Sequence, residues 1–169
     1  MSSETLQKLV AKLDQMNDCH IQMIELGERK KQAVIKNEVE SMIAIMNQES
    51  KLAKFIDREE QEREEIVHAF LLERGIKSKL RLNLTELARL VFDPEEKQLL
   101  LEARSRLSAT LQTLQQLNEL NKQLIQQALD YVDFSLEMLA LVPEQDLTYQ
   151  HPADKAYGAT RSGLFDTRG

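Results

Sequence analysis

The chain has 169 residues, a net charge of −6 and a pI near 5.2, so it is long enough for one domain with its own core and carries no global field for holding a polyanion. Hydrophobic residues make up 42% and charged residues 30%, with five glycines, three prolines and no tryptophan, a balance typical of long helices and coiled coils. A single cysteine, Cys19, excludes an internal disulfide and suggests no thiolate zinc site, and no apolar run approaches the ~20 residues of a membrane span.

The expected fold is all-α: an elongated antiparallel bundle of three long helices and one short one, residues 1–142, followed by an irregular tail, 143–169. "MSSETLQKL" reads as a helix start and not as a signal sequence, which suggests a cytoplasmic protein. Ser3 is placed to cap a first helix over 3–36, whose seam is Leu6, Leu9, Leu13, Met16, His20 and Met23. Gly27 falls inside it at some cost in helix propensity. Asn37 followed by Glu40 has the spacing of an N-cap and its capping-box partner, predicting a turn there; one continuous helix is the alternative.

A second helix over 38–74 carries Val39, Met42, Ile43, Met46, Ala53, Ile56, Val67 and Phe70 in the same rhythm, and Gly75 can terminate it in the left-handed conformation. Its middle, "DREEQEREE", puts Glu60 and Arg63 where the seam expects apolar residues, so this segment is expected to extend into water or flex. The basic cluster Arg74, Lys77, Lys79 and Arg81 reads as a solvated connector, not as a nucleic-acid site. Thr85 and "ELARLVF" suggest a short helix over 84–92. "DPEE" then provides an N-cap aspartate, a proline at the first helical position and a glutamate at N3, opening a helix that runs to Val142 before Pro143 stops it.

Chemistry is hard to find. Glu65-Ile66-Val67-His68 has the spacing of di-metal carboxylate bundles, but such a site needs two copies and two further inward glutamates, and there is one copy, placed on the outer side of the seam. Cys19 and His20 are sequence neighbours and so do not share a helix face. His151 stands in the tail without companions. There is no glycine-rich phosphate loop and no nucleophile elbow. The reading is of a protein that is not an enzyme and needs no metal, nucleotide or other cofactor.

The long last helix is more informative. Stepping about 100° per residue, one face collects Leu100, Leu107, Leu114, Leu117, Leu124, Ile125, Ala128, Leu129, Val132, Ser135, Leu136, Leu139 and Val142, the expected core stripe. Asn121 interrupts it and Asn118 lies at its edge; a buried seam asparagine can set register at a cost in stability, and two half-wet amides between splayed helices are equally compatible. A second line, Tyr131, Phe134, Met138 and Leu141, is spaced three, four and three and centred roughly 130° from the first. Fully buried, these four side chains represent ~6–12 kcal/mol of transfer free energy. Either the chain itself, a homodimer partner or a different protein covers them.

"LNELNKQLI", with Leu117, Asn118, Asn121, Leu124 and Ile125, resembles the "LN-x-x-N-x-x-LI" stretch of the FlgN family of flagellar export chaperones, and the order of two leading helices, connector, long helix and tail resembles that family's layout. The resemblance implies a cytoplasmic, non-enzymatic chaperone of type III flagellar export. Its partners would be hook-associated (hook–filament junction) proteins and the export gate, with neither nucleic acid nor membrane insertion involved. It also places substrate binding in the C-terminal region, where Tyr131, Phe134, Met138 and Leu141 lie, and gate docking at a tail tyrosine, Tyr149 or Tyr157, near Gly158 and Phe165. A structural coiled-coil protein that self-associates through the second apolar line is the alternative.

Overall fold

The computed structural model describes residues 3–77 and 81–141. Among them the chain forms four helices and no strand: α1 Glu4–Ile35, α2 Val39–Glu73, α3 Leu84–Arg89 and α4 Pro94–Ala140. The all-α expectation is therefore met. The chain divides into two units, Met1–Gln126 and Gln127–Gly169, the division falling within α4.

In the first unit α1 and α2 form an antiparallel hairpin. The link is a Schellman motif: Asn37 takes φ +56°, its N–H donates to the Val34 carbonyl, and the Glu38 N–H donates to that of Ala33 (2.9 Å). Asn37 thus ends α1 and does not cap α2, whose N-cap is Glu38 without a side-chain bond. Asparagine serves both roles, and the left-handed conformation is open to it because its short polar side chain tolerates positive φ. Gly75, at φ +75°, closes α2 in the same way, with the Ile76 N–H on the Leu71 carbonyl.

α4 runs parallel to α1. Ser3 bonds Glu96, Asp14 bonds Arg106, Asn17 bonds Thr110 and Gly27 bonds Asn121, at sequence separations of 93, 92, 93 and 94. A constant separation is what two helices side by side and in the same direction produce. The capping expected from "DPEE" is half right. Asp93 Oδ1 accepts the Glu95 N–H (2.9 Å), but Glu96, nearly buried, instead accepts the Ser3 N–H at the start of α1 (2.7 Å). Ser3 caps nothing with its own hydroxyl, which donates to Glu73.

The core gathers Leu6, Leu9 and Leu13 of α1, Val67, Phe70 and Leu71 of α2, and Leu100, Ala103 and Leu107 of α4, all sealed by Leu87, Ala88 and Val91. α3 starts at Leu84, as expected, with Asn83 at its N-cap: Asn83 and Glu86 make a reciprocal capping box. It stops sooner than expected, at Arg89, because Leu90 and Val91 tighten to i−3 hydrogen bonds as the chain prepares for Asp93-Pro94. Phe92 is left outside, with the Arg74 guanidinium 5.4 Å from its ring and 5.2 Å from that of Phe70. Arg74 is therefore partly engaged, whereas Lys79 lies outside the described residues.

The acidic middle of α2 is a correction in part: six of its nine residues are exposed as expected, and Glu60 and Arg63 are half-buried and paired with each other, but Glu59 is not solvated. The segment is helical throughout, and Glu59 is only 4% exposed, held by Lys12 Nζ at 2.9 Å while Glu62 takes the same ammonium at 2.6 Å. Those carboxylates, Glu62 first and Glu59 second, push the Lys12 ammonium above its usual range. Charge fits the seam here because α1 supplies the opposite charge at the matching height.

Candidate partner-binding surfaces

Two apolar surfaces stand out, one in each unit. The first is a groove of about 720 Å³ bordered by α1, α2 and α4. α4 contributes Leu114, Asn118, Asn121 and Ile125, α2 contributes Met46, Ala53 and Ile56, and α1 contributes His20 and Met23. Val39, Ile43 and Met46, read as seam residues of α2, are 60%, 53% and 47% exposed, because no element closes the α2 face at this end as α3 does at the other. Helical period marks a shared face, but it does not say that the face is covered.

At the base of the groove α1 and α4 come unusually close. A Cβ on Gly27 would sit 2.7 Å from Leu117 Cδ2, so the glycine is where the two helices touch. Without a side chain in the way, the Gly27 carbonyl accepts the Asn121 side-chain amide at 2.8 Å. That bond assigns Nδ2 to the donor side and turns Oδ1 the other way. Asn121 is 1% exposed, and its Oδ1 has no protein hydrogen-bond partner. His20 Nδ1 is likewise buried without one, and burial holds the imidazole below its ordinary pKa against a smaller opposing pull from Glu60. The rim carries both signs, with Lys30 held by Glu49 at 2.9 Å. Cys19 is buried next to this layer, and its thiol is pushed up mainly by desolvation, which makes it a poor nucleophile.

The five residues of "LNELNKQLI" that carry the resemblance thus divide. Leu117 and Asn121 are buried, Leu124 and Ile125 half-buried, and Asn118 exposed on the groove wall.

The second surface lies on residues 127–141. Tyr131, Phe134, Met138 and Leu141 are 72%, 59%, 51% and 77% exposed. Leu129, Val132, Leu136 and Leu139, expected in the core, are 53%, 50%, 59% and 58% exposed. This is a second correction: α4 contributes its last fully buried side chain at Asn121. Periodicity marked the faces here, but between Lys122 and Leu141 no side chain is buried. The two apolar lines therefore merge into an arc of roughly three quarters of the circumference, leaving one side to Asp130, Asp133 and Glu137.

Val142 and the tail residues Tyr149, Tyr157, Gly158 and Phe165 lie outside the described residues. Glu65 and His68 are exposed on α2, away from Val67 and Phe70, and among the described residues no three His, Cys, Asp or Glu side chains converge on a metal position. Among them, too, no helix is long and apolar enough to cross a membrane.

Compared with protein-family models, the chain matches that of the "FlgN protein" family over residues 1–156. No curated protein and no solved structure gives a match.

Proposed function

Because the chain belongs to the FlgN family, and so to flagellar export chaperones of hook-associated proteins in general terms, we propose that it holds the terminal amphipathic helices of those proteins on the apolar end of α4. There it prevents their premature association, in the cytoplasm, before delivery to the type III export gate. The observation that supports this reading is the run of eight side chains between Leu129 and Leu141, each at least half exposed. Contiguous apolar surface on that scale marks an interaction site. Terminal segments that are disordered before assembly can fold as helices against such a face, burying their own stripes. Met138 and the aromatics Tyr131 and Phe134 suit a site that must release its cargo, because polarizable, adaptable side chains accept more than one packing.

No step of this task calls for bond chemistry, so the protein works without a cofactor and not as an enzyme. Contact with the export gate falls to the tail, with Tyr149 and Tyr157 as the alternative anchors beside Gly158 and Phe165.

The test is titration of the full chain with the terminal segment of a hook-associated protein. Replacing both Phe134 and Met138 by serine is expected to weaken binding by a few kcal/mol while leaving the melting temperature nearly unchanged, because interface aromatics carry such amounts and neither side chain is packed in the free protein. Val132→Ser should also be nearly neutral for stability, within about 0.5 kcal/mol. Wild-type affinity in the double variant would move the site elsewhere. If the wild type binds no such segment but sediments as a dimer that the double variant dissociates, the self-associating coiled coil is the correct account.

A further inference from the structure

The groove of the first unit carries a separate inference, one that stands without the flagellar assignment. The opening between α2 and α4 does not end where the groove ends. A second depression, sharing His20, Ile56 and Asp57 with it, continues to Asn83 and Leu84 at the start of α3. Beyond that point α3 and the turn after it fill the line with Leu87, Ala88 and Val91, all buried. The molecule thus shows, at one end, how a helical segment seals a three-helix body, and at the other it presents the same opening unfilled. The groove walls span about a dozen residues each, Met46 to Asp57 on α2 and Leu114 to Gln126 on α4, hence roughly 18 Å, or about three helical turns.

Its chemistry narrows the occupant. Met23, Met46, Ala53, Ile56, Leu114 and Ile125 give the groove an apolar floor, polar side chains such as Asn118 and Ser50 edge it, and two buried groups, Asn121 Oδ1 and His20 Nδ1, have no protein partner. A rim of mixed sign, with Lys30 held by Glu49 and with Asp57 and Lys122 also on it, offers no single-sign field for a small anion or cation. An occupant must bring apolar area along three turns and a hydrogen-bond donor near the middle. We propose that this groove docks one amphipathic helix of a polypeptide partner, a fourth helix in line with α3, whose apolar stripe carries a single amide or hydroxyl side chain that donates to Asn121.

The probe is a set of amphipathic peptides of about 14 residues, alike but for a central stripe residue that is Asn, Ser or Leu, titrated into the full chain while the Met23 and Met46 methyl resonances are followed. The Asn peptide is expected to bind about tenfold tighter than the Leu peptide, since the latter strands a buried acceptor. In Asn121→Leu that order should invert. Ala53→Arg, which fills the groove from an exposed position, should cost every peptide at least about tenfold without moving the melting temperature, so the result does not depend on how Asn121→Leu folds. A Leu peptide that binds as well as the Asn peptide would mean that Asn121 keeps only water, and the proposal fails. It fails equally if no peptide shifts the two methyl signals. A dilution-sensitive dimer abolished by Ala53→Arg would give the groove to a second copy. Loss of hook-protein binding in the Phe134/Met138 variant bears on the other surface and leaves these outcomes unchanged.

Discussion

The two ends of the three-helix body differ in one element. At the α3 end, α1, α2 and α4 meet around Phe70, Leu71, Leu9 and Leu100, and six residues of helix with the turn after them close the gap. At the other end the same three helices meet around Gly27, Leu117 and Asn121, and nothing in the described chain fills the opening between α2 and α4. The closed end is made of leucines that need only proximity. The open end rests on a glycine, an asparagine amide and a half-buried histidine, groups whose hydrogen bonds must be placed one by one. A chain that wanted only stability would close both ends alike; keeping polar groups beneath an unfilled groove costs stability and leaves a receptor.

The comparison can be broken most forcefully at the closed end. Phe70→Ala is expected to cost about 3–5 kcal/mol, because a fully buried ring leaves a cavity that α3 cannot collapse into. Chemical denaturation would measure it. A loss under 1 kcal/mol would mean that the α3 end is no tighter than the groove. Next comes Gly27→Val. Its side chain would meet Leu117 at van der Waals overlap, and a destabilisation of about 1–3 kcal/mol is expected despite the removal of a helix glycine. A neutral or stabilised variant would show that α1 and α4 separate easily and that the Asn121 bond does not hold them.

The smallest effect concerns pH. Burial keeps His20 below its ordinary value of 6.5, and the charged groups around it are Glu60, Asp57 and Arg63 on one side and Glu49, Lys30 and Lys122 on the other. On acidification the unfolded chain takes up this proton first. The contribution of neutral His20 to stability is therefore complete above about pH 6.5 and declines as the pH falls towards the folded-state value. Urea midpoints at pH 7.5 and pH 5.5 should differ less in His20→Gln than in the wild type. An unchanged difference would show that other groups, such as the carboxylates of the Lys12 cluster, set the acid response.

Much of this was legible in the sequence, and where it was not, the cause is specific. Leucine spacing, Gly75 and Asp93-Pro94 act locally, through dihedral preference and periodicity, so the helices and most of their ends could be read directly. The second apolar line on α4 was legible for the same reason. The misreadings concern roles that a residue type shares. Asn37 could cap the next helix or end the previous one, and only the backbone path chose. Glu96 could serve its own N-cap or that of a helix distant in sequence, and the parallel packing of α1 and α4 chose the latter.

What the sequence determined by itself, then, is the set of helices and their faces, since these follow from neighbours within a few residues. What only the tertiary structure decided is coverage. Whether Glu59 is solvated or buried depends on Lys12, 47 residues away. Whether Val132 and Leu139 form core or surface depends on what packs on them, and they are 50% and 58% exposed. Whether Asn121 is a half-wet amide or the donor to Gly27 depends on a glycine 94 residues earlier in the chain. Burial is a property of pairs of elements, and periodicity within one helix carries no information about the length or polarity of its neighbour.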